Sequence, residues 1–219
     1  MYRVLQILTD AEIAECRRIA AAAPFVDGRI TNPHMTAKQN EQLHDAGAYQ
    51  QSSELIRGAM LRSPEFMEFA FPVSMAPPMM TRYKPGMKYG AHADAAFIQL
   101  PGATIRSDLS CTIFLNDPEE YEGGELHVRL GDADLKFKLQ PGEAIVYPST
   151  MLHEVRPVRS GQRLVSITFI ESMIADEHRR TQLYELNEVA ALEGLKMDWQ
   201  SRVRLDVVRQ NLLRMWGEG

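Results

Sequence analysis

Hydrophobic residues recur along this chain at two different periods, and the change of period divides it into three zones. From residue 9 to 70 the spacing is mainly helical. Thr9 and Glu12 form a capping-box pair, Leu8 and Ile13 stand where a hydrophobic staple sits, and Pro24 ends an alanine-rich run, which together predict a first helix. After a turn at Asp27-Gly28 a second helical stretch is predicted over about 40 to 62. Ser63-Pro64 then reads as the cap and first position of a short third helix.

From about 72 to 171 the pattern changes to short apolar runs punctuated by turn residues, among them Pro85-Gly86, Asn116-Asp117-Pro118, Gly123-Gly124, Pro141-Gly142 and Ser160-Gly161. LSCTIFLN (109 to 116), ELHVRL (125 to 130), LKFKL (135 to 139), EAIVYP (143 to 148) and RLVSITFIES (163 to 172) are the clearest strands, several with period-2 alternation. Such a set closes into an antiparallel sandwich, barrel or jelly roll. The Gly and Pro content of 95 to 108 predicts a loop there. The last zone returns to helix at about 176 to 193, ending at Gly194, and at about 198 to 216, where Leu205, Val208, Leu212, Met215 and Trp216 form one stripe. That stripe is expected to pack mostly on the chain's own sheet, with a homodimer open through what remains. Met75, Met79 and Met80 read as core filler.

Composition narrows the function classes. The chain has 219 residues, 45% of them hydrophobic and 24% charged, which suits one large domain with a helical appendage. Its 24 Lys and Arg face 29 Asp and Glu without a basic cluster, so nucleic acid is not an expected partner. No apolar run approaches the roughly 20 residues that cross a bilayer. Only Cys16 and Cys111 are present, and the chain opens as MYRVLQILTDAEIAE without a charged segment leading into an apolar one, so a reduced cytoplasmic setting is expected.

The chemistry concentrates in TRYKPGMKYGAHADAAF, residues 81 to 97. On a strand, His92 and Asp94 project from the same face and can address one ion. Alone the pair is weak, because composition supplies about 0.3 His-x-Asp matches by chance. His153, between two strands, adds a second imidazole, and two His with one carboxylate form a facial triad that leaves coordination positions open for catalysis. A structural zinc site wants four ligands, and the two cysteines have no spacing for it; zinc in a three-ligand hydrolytic site stays open. Arg163 shares its strand face with Val165, Ile167 and Phe169, so a guanidinium stands on an apolar side, either as a fork for a dicarboxylic ligand or snorkelling out after the Gly161 turn.

RYKPGMKYGAHAD, the YEGGEL turn and strand, and PSTMLHEVRPVRSGQR together resemble the iron(II)/2-oxoglutarate dioxygenases, in the prolyl-4-hydroxylase-like branch and within it the bacterial PKHD-type hydroxylases. The resemblance implies an α+β fold: a double-stranded β-helix (jelly roll) core over 73–175, an N-terminal helical support region over 1–72 and a C-terminal helical extension over 176–219. It implies that His92, Asp94 and His153 hold Fe(II), and that Arg163 and Tyr83 bind 2-oxoglutarate. O2 is then the oxidant, L-ascorbate an accessory cofactor, and succinate and CO2 the co-products of hydroxylating a small-molecule or peptide substrate. Prolyl 4-hydroxylases proper often carry Lys at the Arg163 position, so that exact activity is not carried over with the resemblance.

Two other classes share the triad: a non-catalytic cupin-like metal sensor, which needs neither Arg163 nor Tyr83 at the metal, and a zinc hydrolase, which consumes neither O2 nor 2-oxoglutarate. The remaining candidates carry bland expectations. His127 reads as a half-buried strand residue, His34, His44 and His178 as surface residues, Gly123-Gly124 as a turn or bulge, and Tyr89 as either a neighbour of the metal or core.

Overall fold

The computed structural model describes residues 1–31 and 36–218; the surface expectation for His34 falls outside them. A larger sheet runs, in spatial order, through Arg3–Gln6, Glu143–Pro148, Leu109–Phe114, Arg163–Ser172, Met79–Tyr83, Glu41–Leu43 and Phe25–Asp27, with Pro72–Met75 also pairing to Arg163–Ser172. A smaller sheet runs through Ala133–Phe137, Leu126–Leu130, His153–Val155, Lys88–His92 and Lys38–Gln39. All pairings are antiparallel, and Phe97–Leu100 with Ala103–Arg106 and Tyr121–Gly123 with Val158–Gly161 add two ribbons. This is a double-stranded β-helix.

Period-2 alternation sorts the strands between two cores. On Arg163–Ser172, Leu164 and Ile170 face the helices, whereas Val165 and Ile167 face the smaller sheet. On Glu143–Pro148, Ala144 and Val146 take the helical side while Ile145 and Tyr147 turn inward. Leu109–Phe114 is therefore buried at every position, covered on both faces.

The helical layer is α1 (Asp10–Ala22), α2 (Ala46–Arg62), α3 (Pro64–Ala70), α4 (Glu177–Glu193) and α5 (Trp199–Trp216). The reciprocal Thr9–Glu12 capping box opens α1, whose Ile13, Cys16, Ile19 and Ala20 bury one stripe. Asp45 caps α2 through the Ala48 amide, and Ser63 caps α3 ahead of Pro64. No helix among the described residues is long and apolar enough to cross a membrane.

Three local expectations are corrected. The second helix begins at Ala46 rather than near 40, because Glu41–Leu43 is drawn into the larger sheet, where the Glu41 carboxylate accepts from Arg82 and Lys84 on the neighbouring chain segment. Residues 97–106 form a β-hairpin rather than a loop, the Pro101-Gly102 pair supplying its turn with Gly102 at φ +77°. Helix α5 meets α4 rather than the sheet, Arg209 Nε donating to Asn187 Oδ1 at 2.8 Å, and its stripe is only partly covered: Val208 and Met215 are exposed and no α5 side chain is fully buried. It is α4 that reaches the core, through Leu183 and through Tyr184, which meets Phe69 edge-on at 5.3 Å.

Candidate active site

The two histidines owe their meeting to strand register. His153 stands directly opposite His92 in the smaller sheet, and Asp94 follows two positions on, its amide donating to Ser149 O at 3.2 Å. The Nε2 atoms of His92 and His153 lie 3.8 and 3.6 Å from the Asp94 carboxylate oxygens, and one ligand atom from each of the three residues falls within 4.8 Å of the others. His92 Nδ1 donates to Gly90 O at 2.8 Å and His153 Nδ1 to Met151 O at 2.9 Å. A carbonyl only accepts, so these bonds put the proton on Nδ1 and leave both Nε2 lone pairs free, the tautomer a metal requires. Burial, with His153 alongside, pushes the His92 pKa down and keeps its ring neutral.

Neighbours fix the donors. Tyr89 stacks on the His92 ring at 3.7 Å, which answers its open assignment: it is a wall of the site. Tyr147 meets His153 edge-on at 5.2 Å. Asp94 Oδ2 accepts from Ser110 Oγ, which continues through Ser149 to Ser107 in steps of 2.8 Å. Two imidazoles and a carboxylate so held, open to a cavity of about 500 Å³, fit a divalent metal that keeps positions free for reactants.

Arg163 lines the same cavity. It is only 1% exposed, pairs in register with Tyr83, and its guanidinium carbon lies 5.1 Å from the Tyr83 ring centroid and 5.4 Å from that of Phe114. Among the described residues no carboxylate lies within ion-pair distance of it, and its Nε has no hydrogen-bond partner. A buried guanidinium in that state calls for a ligand carboxylate. Tyr83 is also buried, and its hydroxyl accepts from Asn40 Nδ2 at 3.0 Å. Gly124, at φ +67°, makes room: a Cβ there would stand 3.1 Å from Arg163 Cδ.

Sequence reasoning missed a polar strip. Lys38, Asn40 and Gln42 alternate into the same cavity from an extended segment read as turn and helix, and such residues send no hydrophobic signal. Burial brings the Lys38 pKa down to about 8. His127 is half-buried on its strand, bonded to Asp134 at 3.1 Å, and His44 and His178 are exposed, as expected.

Comparison with known proteins agrees with this architecture. The model of the 2OG-Fe(II) oxygenase superfamily matches residues 78–171. A prolyl-4-hydroxylase from Pseudomonas putida has a similar fold, with TM-score 0.55 at 20% identity over 78% of this chain and 92% of that one. A prolyl hydroxylase from Trichoplax adhaerens gives TM-score 0.57 at 13% identity, over 78% of this chain and 83% of that one. The family model and the curated relatives place the chain among the 2-oxoglutarate-dependent Fe(II) oxygenases. A PKHD-type hydroxylase from Sphingopyxis alaskensis is 56% identical, covering 99% of each chain, and one from Caulobacter vibrioides is 40% identical over 100% of this chain and 99% of its own. The chain belongs to the PKHD-type hydroxylases of the 2OG-Fe(II) oxygenase superfamily. Its cofactors are Fe(II), 2-oxoglutarate and O2.

Proposed function

We propose that His92, Asp94 and His153 hold the Fe(II), and that Arg163 and Tyr83 hold 2-oxoglutarate, in a dioxygenase that hydroxylates its substrate. The observation that carries the reading is a buried, acid-free Arg163 sharing one cavity with a metal-ready triad. Neither a cupin-like sensor nor a zinc hydrolase has a use for that guanidinium, so these alternatives fall behind.

Fe(II), when bound, activates O2 and couples oxidative decarboxylation of 2-oxoglutarate, giving succinate and CO2, to insertion of one oxygen atom into a substrate C–H bond. The protein's work is positional. The Gly90 and Met151 carbonyls orient the imidazoles, and the serine chain from Ser110 orients the Asp94 carboxyl group. Arg163 takes the distal carboxylate in a two-pronged hydrogen bond, and the Tyr83 hydroxyl, already bonded to Asn40, donates its own proton to the same cosubstrate. The 97–106 hairpin supplies Phe97, Ile98 and Leu100 to the cavity wall and helps exclude water.

The substrate is an amino-acid side chain in a protein or an iron-related small molecule such as a siderophore, and L-ascorbate is read as an accessory reductant. The bacterial source of the PKHD-type relatives, together with two buried free thiols, supports a cytoplasmic setting. We read 73–175 as the catalytic core, 1–72 as its support and 176–219 as the extension. The apolar residues left exposed on α4 and α5 favour a homodimer. Alanine variants of each triad residue, assayed for Fe(II) content and 2-oxoglutarate turnover, test the assignment; a variant that keeps the parent turnover removes its residue from the triad.

A further inference from the structure

We propose that Lys38 is a specificity-determining residue that binds the carboxylate of a small acidic substrate. The inference rests on the iron and cosubstrate sites proposed above and goes on to name what enters beside them.

Lys38 is 6% exposed on the edge strand of the smaller sheet, paired in register with Tyr89, whose ring stacks on His92. Its Nζ donates to Thr31 Oγ1 at 2.8 Å and lies 5.9 Å from the Tyr89 ring centroid. Among the described residues no carboxylate lies within ion-pair distance, and the segment Asn32, Pro33, His34 and Met35, which lies outside that set between Thr31 and Lys38, includes no acid. Asp27, the carboxylate whose charge is felt at Lys38, is already engaged by Arg29. A buried ammonium held, among the described residues, by one hydroxyl is costly unless an anion arrives.

Charge bookkeeping says which anion. The charged side chains lining the cavity are Lys38, Asp94 and Arg163. A divalent iron offsets Asp94 and one carboxylate of 2-oxoglutarate, and Arg163 takes the other carboxylate. Both cosubstrate charges are then matched, and Lys38 is left as the excess cation, beside the Tyr89 ring that stacks on His92. One further negative charge completes the site, and it must belong to the molecule that enters with the cosubstrate in place. Gln42, whose Nε2 lacks a partner among the described residues, lines the same wall two strand positions beyond Asn40 and offers that molecule a neutral donor.

The probes are N-acetylglycine and its primary amide, a matched acid and neutral isostere, titrated calorimetrically into the anaerobic Fe(II)·2-oxoglutarate protein. The acid should bind about tenfold or more tightly than the amide. In Lys38→Met that preference should fall to about one while 2-oxoglutarate affinity, read from the visible band of its iron chelate, stays put. Lys38→Arg should keep part of the preference, which separates lost charge from lost fold. Equal binding of acid and amide by the parent protein, or binding of neither, overturns the proposal, as does a Lys38→Met variant whose main loss is 2-oxoglutarate affinity. Absence of the chelate band in the parent protein would instead overturn the iron and cosubstrate assignment.

Discussion

Among single residues, Arg163 does most to define the proposed cosubstrate pocket. Its guanidinium is more deeply buried than any other charged group lining the cavity, and only a ligand carboxylate can compensate it. Arg163→Ala should therefore weaken 2-oxoglutarate binding by about 2 to 5 kcal/mol while Fe(II) binding persists, with Arg163→Lys milder because the charge survives. Titrating the cosubstrate against each iron-loaded variant checks this. Gly124 tests the same site from behind. Gly124→Ala puts a methyl group 3.1 Å from Arg163 Cδ at a φ of +67°. It should destabilise the protein by more than about 1 kcal/mol in urea unfolding and raise the KM for 2-oxoglutarate, whereas a purely conformational role for the glycine would leave that KM unchanged.

At the scale of elements, the chain writes its fold most clearly where hydrophobic period and capping agree. Glu143–Pro148 and Arg163–Ser172 form at the predicted bounds because each alternates or fills between two cores, and α1 opens at its predicted cap. Thr9→Ala removes a reciprocal cap at an exposed helix end, so urea unfolding should report a loss of about 1 kcal/mol with activity unchanged. Short polar strands were not legible. Lys38–Gln39 and Glu41–Leu43 are too brief to show a period, and they are strands because edges of existing sheets are available to them. The site was half legible for the same reason. His92 and Asp94 declare themselves by spacing, but the pairing of His92 with His153 belongs to sheet register, and Lys38 came into view only once that register placed it beside Tyr89.

For the whole molecule, the helical end is the feature least explained by a lone chain. Leu192, Leu195, Trp199 and Met215 are 68%, 82%, 74% and 73% exposed on or between α4 and α5, far from the polar face expected of a terminal hairpin. A homodimer would cover them. Sedimentation equilibrium should give a dimer for the parent chain and a folded monomer for Leu192→Glu with Met215→Glu; a monomeric parent would remove the dimer. The central claim, however, joins both sheets: the smaller supplies His92 and His153, and the larger supplies Arg163 and Tyr83, to one cavity. Anaerobic titration of the metal-free protein with Fe(II) and then 2-oxoglutarate tests it most directly. The account predicts a weak visible chelate band that saturates at one iron and one cosubstrate per chain, and that is lost in His153→Ala. A parent protein that gives no band, or a His153→Ala variant that keeps it undiminished, would contradict the assignment.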